Sequence, residues 1–202
     1  MPTDTTDASA APPLVLGSTS PYRRELLSRL RLPFTTAAPQ VDETPLPHET
    51  PAALARRLAL AKAREVAARH PQAIVIGADQ VADLAGEPLG KPGSHERAVA
   101  QLQRMSGQTV VFQTALSVVC LASGFEQSEL APVEVRFRAL DAGEIERYLR
   151  AEQPYDCAGS AKSEGLGIAL LEAIHNDDPT ALVGLPLLRT ARLLRAAGLR
   201  LP

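Results

Sequence analysis

The chain contains no tryptophan, and aromatic residues make up only 3% of its 202 positions. Its core must therefore be aliphatic, built from Leu, Val, Ile and Ala, which a hydrophobic content of 45% supplies in quantity. The two cysteines, Cys120 and Cys157, have no metal-ligand spacing and form no disulfide framework. They read as buried thiols in a reducing compartment. Long basic blocks are missing too: 21 Lys and Arg stand against 23 Asp and Glu, a net charge of −2. That argues against a nucleic-acid backbone as partner, because such binding needs clustered cations. A small anion asks for only a few converging ones and is not excluded. No apolar run approaches the roughly 20 residues that span a bilayer. Residues 1–13, rich in Thr, Ala, Asp and Pro, lack the basic start and apolar core of a secretory signal and read as a disordered tail. The expected setting is the cytoplasm, without membrane or nucleic acid.

What is present reads as one α/β domain over residues 14–202, with two lobes. Leu14 to Ser18 is an apolar strand, and Ser20-Pro21 is a helix start, with Ser20 as N-cap and a helix to about Arg31. A second strand is expected at Phe34 to Ala37, then a Pro-rich acidic loop. Thr50-Pro51 opens a helix that His70-Pro71 closes, with Leu54, Leu58 and Ala61 at helical spacing. Ile74 to Asp79 reads as a buried strand ending in Gly-Ala-Asp, with a short partner at Val81 to Leu84. Ser94 starts another helix. Thr109 to Leu121 and Pro132 to Leu140 read as an antiparallel hairpin joined through Ala122-Ser123-Gly124. Asp141 to Glu144 looks like a capping box, Gly165 to Ile174 like a strand, and Pro186 to Ala197 like a last helix ended by Gly198. The fold class expected is α/β: a mixed sheet with flanking helices, an antiparallel second lobe and a central cleft.

Five places carry chemistry, each with a plainer reading beside it. Ligands of open α/β sheets sit beyond the carboxyl ends of strands, where Asp79 is delivered; the alternative is an acid that caps a turn. Ser18-Thr19-Ser20-Pro21-Tyr22-Arg23 joins small residues to a helix N-terminus and a guanidinium, which suits an anion, or is an ordinary capped helix. In Val41-Asp42-Glu43-Thr44, Glu43 could hold a hard cation, or the loop is merely solvated. Lys62 lies at the edge of the apolar stripe and either reaches a site or snorkels. In Gly159 to Gly167, Lys162 and Glu164 could face a cleft, or the segment is a surface hairpin.

In order along the chain, these stretches resemble the Maf family of nucleotide pyrophosphatases, and within it the YceF-type subgroup that acts on 7-methyl-GTP. The resemblance runs from Leu14 to about Leu199. It rests on Ser18 to Arg24, Val41 to Pro45, Arg57-Leu58-Ala59 with Lys62-Ala63, Ile76 to Gln80, Gly90-Lys91-Pro92, Ser106-Gly107, Cys157 to Ser160, Lys162 to Gly165 and Leu182 to Pro186. It implies a fold like that of Maf and ITPase proteins. The activity implied is metal-dependent cleavage of a nucleoside triphosphate between its α- and β-phosphates, yielding the monophosphate and diphosphate. On this resemblance Asp79 is the proton acceptor, and Tyr22, Gln80 and Glu164 set base specificity. Ser18, Arg23, Lys62 and Lys91 contact phosphate, and Glu43 with Asp79 holds a divalent cation, Mg2+ or Mn2+. The expected partners are the nucleotide and, for assembly, a second copy in a homodimer. The subgroup usually has Trp where this chain has Tyr22; both rings stack on a base.

Elementary chemistry agrees with these roles. Breaking a phosphoanhydride needs charge neutralised on the non-bridging and leaving oxygens. A carboxylate with a pKa near 4 is a weak base at neutral pH, so a lowered water pKa would help Asp79. Two other readings stay open: a dTTP/UTP pyrophosphatase, and a non-catalytic regulator of septum formation in cell division.

Overall fold

In the computed structural model, which describes residues 12–201, Pro13 already touches the sheet: its carbonyl accepts from the Ile74 N–H at 2.8 Å. The tail expected over residues 1–13 lies mostly outside the described residues. The elements are β1 (Leu14–Gly17), α1 (Pro21–Ser28), β2 (Thr35–Ala37), α2 (Pro51–Arg69), β3 (Ile74–Leu84), β4 (Glu87–Leu89) and α3 (His95–Met105). They continue with β5 (Thr109–Cys120), β6 (Phe125–Phe137), α4 (Ala142–Glu152), β7 (Leu171–His175) and α5 (Leu187–Ala196).

The helix starts follow the chain's own capping chemistry. Ser20, Thr50 and Ser94 each accept a backbone N–H three residues on, and Pro21 and Pro51 fill the first helical position. Asp141 and Glu144 close a full capping box on α4. Four expectations need correcting. Helix α1 stops at Ser28 rather than Arg31, because Arg31 takes a left-handed φ of 54°. The strand β6 begins at Phe125, since the hairpin turn is short and pairing starts at Cys120↔Phe125. Residues 166–170 wind into a 3-10 turn before β7, so the strand is only five residues long. Most important, β3 does not end at Asp79; Val81 to Leu84 continue the same strand, and β4 is its short partner.

The sheet runs β2-β1-β3-β5-β6-β7, with β4 also on β3. Strands β2, β1 and β3 are parallel, whereas from β3 onward each of β5, β6 and β7 runs antiparallel to the strand before it. The antiparallel lobe is therefore an extension of the same sheet. On one edge β3 pairs with β1 up to Gly77 and with β4 from Ala82. Between these contacts Ala78 to Val81 have no strand on that edge. The gap opens just beyond the carboxyl end of β1, the position at which open α/β sheets take ligands.

Alternation along β3 sorts the core. Val75 and Val81 face α2, where they pack with Leu54, Ala55, Leu58, Ala59, Ala63 and Val66. Ile74, Ile76 and Ala78 face the other way, against α1 and α5, while Ala82 joins a cluster under α3 and α4. The cluster around α1 and α5 is buried with aliphatic side chains and Cys120. Phe112, Phe137 and Tyr148 all fall in the cluster of the antiparallel side.

Candidate active site

Gly77 lies two residues before Asp79 on the face that meets α2. A Cβ there would stand 2.3 Å from the Ala59 carbonyl oxygen and 2.6 Å from the Ala63 nitrogen. Helix α2 can therefore rest directly on β3 only because residue 77 has no side chain. That close approach brings Lys62, between Ala59 and Ala63 in sequence, against the strand. Its Nζ donates to Asp79 Oδ1 at 2.7 Å and pairs with Glu43 Oε1 at 2.7 Å. Lys62 and Asp79 are 6% and 7% exposed, so this ammonium does not snorkel to solvent. Glu43 is exposed and closes the pair from outside.

Burial pushes the Asp79 carboxyl above its ordinary range; Lys62 and Arg23 pull it back, and Glu43 adds to the rise. Arg23 stands near enough to be stabilised by Asp79 and Glu43, while desolvation lowers its own pKa. Its Nε donates to the Gly184 carbonyl at 2.9 Å. Ser18, buried at the end of β1, accepts from the Ser20 N–H at 3.1 Å and shapes the turn into α1. Three acids and bases from separate segments, together with Arg23, thus form one charged cluster at the sheet gap.

The two neighbours on β3, Asp79 and Gln80, point to opposite faces. Gln80 Nε2 donates toward Thr114 Oγ1 (2.8 Å), the Leu182 carbonyl (3.0 Å) and the Ala181 carbonyl (3.1 Å). Three acceptors for two hydrogens leave the amide nitrogen nothing to give a ligand, so any base contact falls to Oε1. On the α1 side, the Lys162 Nζ lies over the Tyr22 ring, 5.6 Å from its centre. Glu164 is exposed close by and raises the Tyr22 pKa, after burial and the charges at Cys157 and Asp156. The structure thus joins Tyr22, Lys162 and Glu164 into a second group. Lys91 is exposed and has no ion pair among the described residues.

Arg57 and Gly184 lie in stretches that carry the family resemblance, but their parts in the site escape sequence reasoning. Arg57 grips Glu49 with two hydrogen bonds (2.7 and 2.8 Å) and the Thr44 carbonyl at 3.0 Å, so it pins the loop that carries Glu43. This pairing holds the Glu49 carboxyl down at about 2. Gly184 takes a φ of 116°, which side chains rarely adopt, and its carbonyl receives the Arg23 guanidinium at 2.9 Å. Nothing local in the sequence announces such partners, because each contact joins distant segments. The thiols need a correction as well: Cys120 is buried, but Cys157 is half-buried, its pKa pushed up to about 12 by burial and Asp156.

The fit to a divalent cation can be read from the donors. Glu43 and Asp79 present hard oxygens that already converge on one positive nitrogen. Among the described residues no group of three His, Cys, Asp or Glu is placed to hold a metal. Two carboxylates are the protein share typical of Mg2+ held jointly with substrate phosphates and water. The donor set therefore fits such a cation in company with a phosphate ligand, and not as a closed protein site.

A family model described as Maf-like protein matches residues 13–197. A protein of a Polaromonas species is 77% identical over 189 residues, 94% of this chain and 86% of its own length. One of Albidiferax ferrireducens is 67% identical over 187 residues, covering 93% and 94% of the two chains. One of Xanthomonas campestris is 61% identical over 191 residues, covering 95% and 99%. All three bear the name 7-methyl-GTP pyrophosphatase.

Proposed function

The chain belongs to the Maf family, and from that premise we propose that it hydrolyses 7-methyl-GTP to 7-methyl-GMP and diphosphate. The observation that carries the proposal is the Lys62 ammonium held between Asp79 and Glu43 at the sheet gap, 2.7 Å from each. It is supported by relatives at 61–77% identity that carry the name of this activity.

In the reaction a water attacks the α-phosphorus, and diphosphate leaves with the electrons of the broken P–O bond. Lys62 takes Asp79 Oδ1, which leaves Oδ2 to accept the water proton. A raised pKa suits this role, because a base poised closer to neutral pH accepts protons more effectively. Arg23 and Lys62 neutralise phosphate oxygens, and Lys91, without an ion pair among the described residues, is available to the leaving group. Glu43 and Asp79 would hold Mg2+ or Mn2+ jointly with the phosphates. When bound, the cation supplies Lewis-acid charge and lowers the pKa of bound water. The base stacks on Tyr22, and Glu164 accepts from guanine N1–H and N2–H2, a donor pair that uracil and thymine lack. A methylated, cationic guanine gains further from the aromatic face and the acid.

A panel of nucleotides assayed with Mg2+ or Mn2+ tests this reading. The expected order is 7-methyl-GTP over GTP, and both over UTP and dTTP. Glu164→Gln should shrink the preference, and Tyr22→Ala should weaken the methylated substrate most. Preference for UTP or dTTP would overturn the base assignment. Among the described residues no helix is long and apolar enough to cross a membrane. Free thiols suit a cytoplasmic setting, and a homodimer is the assembly that light scattering would check.

A further inference from the structure

Helix α4 ends in Glu152, a residue outside every motif singled out in the sequence. Its carboxylate accepts from Lys162 Nζ at 2.8 Å through Oε1 and from the Leu166 N–H at 2.7 Å through Oε2. Lys162 and Leu166 flank Glu164, two residues to either side. Gly165 lies against the same carboxylate: a Cβ there would sit 2.6 Å from Glu152 Oε2. One turn earlier on α4, the Tyr148 hydroxyl donates to the Ser160 carbonyl (3.2 Å) and accepts from the Lys162 N–H (3.0 Å). The segment also folds tightly on itself, since a Cβ on Gly167 would meet the Lys162 backbone at 2.5 Å.

We propose that Glu152 is a positioning residue for base recognition. By clasping the chain on both sides of Glu164, and by holding Lys162 over Tyr22, it sets the carboxylate and the ring against the base. The proposal rests on the reading of Tyr22 and Glu164 given above. Glu164 is exposed and, among the described residues, its carboxylate has no ion pair and accepts only from the adjacent Ser163 Oγ at 3.5 Å, so the aim of its side chain depends on the backbone that carries both residues. That backbone has no strand or helix around it from Ala161 to Gly165. Glu152 and Tyr148 supply the rigidity that regular structure does not. A recognition group must be held by such supporting contacts to discriminate.

The test is Glu152→Gln, which keeps the shape and an acceptor for Leu166 but breaks the ion pair to Lys162. The reading is the ratio of kcat/KM for the preferred nucleotide to that for the next best, 7-methyl-GTP and GTP on the reading above. The ratio should fall by about tenfold, on the scale by which small misplacements affect a site. The fall should come through the KM of the methylated nucleotide, with kcat on GTP near the unmutated value. A merely structural role would lower both nucleotides equally together with the melting temperature. An unchanged ratio in the folded variant, or an equal loss on both, overturns the proposal. Should Glu152→Gln fail to fold, Lys162→Met breaks the same ion pair from its other end and should move the ratio in the same direction. If the unmutated protein prefers another nucleotide, the base assignment fails, and Glu152 is still judged by the ratio for that nucleotide.

Discussion

Lys62 and Asp79 meet across 2.7 Å, one from the buried face of α2 and the other from the middle of β3, and both are nearly closed off from solvent. Two consequences follow from a pair so placed. Neither charge can lose its partner cheaply, because a buried charge without compensation is costly. And Asp79 is subject to opposed influences: burial raises its pKa and prevails, while Lys62 pulls it back.

Asp79→Asn keeps the volume and an oxygen for Lys62 while removing the proton acceptor. The protein should remain folded by circular dichroism, and kcat on 7-methyl-GTP should fall by on the order of 10² or more. Near-normal turnover would remove Asp79 from the acceptor role.

The pH profile follows from the direction of the Asp79 shift. As the proposed acceptor Asp79 would work only when ionised, and its pKa is raised by burial, so the acid limb of kcat should lie above the ordinary carboxylate range near 4. Lys62→Met removes the strongest influences that hold this pKa down. The acid limb should then move to higher pH, and the variant should also lose stability by about 3 kcal/mol. A limb that stays in place would mean another group controls it.

Gly77→Ala tests the seat of α2 on the sheet. A methyl 2.3 Å from a backbone oxygen cannot be accommodated without moving α2 off β3. Denaturant unfolding should register a loss of about 2 kcal/mol or more. Activity should fall further than stability alone explains, because the same shift parts Lys62 from Asp79. A variant of unchanged midpoint would show that the helix has slack.

Metal dependence should be complete: EDTA should abolish hydrolysis, and Mg2+ or Mn2+ should restore it. Glu43→Gln should raise the Mg2+ concentration for half-maximal rate by roughly tenfold or more, a loss of the size seen when even an outer partner of a metal site is removed. Arg57→Ala should act in the same direction by releasing the loop held at Thr44. Full activity in EDTA would refute the cation.

Most of the fold is legible in the chain because its signals are local. Capping residues at Ser20, Thr50, Ser94 and Asp141 place four helix starts, since a cap bonds only three residues ahead. The run Ile74-Val75-Ile76 marks a buried strand by composition alone. The end of β3 was not legible in this way. Val81 to Leu84 continue the strand because β4 and β5 pair with them, and pairing partners do not appear in a local pattern. Asp79 nonetheless reaches the site expected for a strand end, because β1 stops at Gly17 and leaves the edge of β3 open there.

The sequence by itself determined which residue types were available: an aliphatic core, a few dispersed cations, and acids in small clusters. It also determined the family, through ordered motifs whose match spans residues 13–197. Only the tertiary structure decided how those residues combine. It put Lys62 between two carboxylates from other segments, turned Gln80 away from Asp79, and placed Lys162 over Tyr22 with Glu152 behind it. The reason is physical. Helix and strand starts are set by bonds within a few residues, whereas an ion pair between residues 62 and 79 or 152 and 162 exists only once packing has fixed both backbones. Here a glycine at residue 77 sets the distance for the first pair, and the carboxylate at the end of α4 sets it for the second.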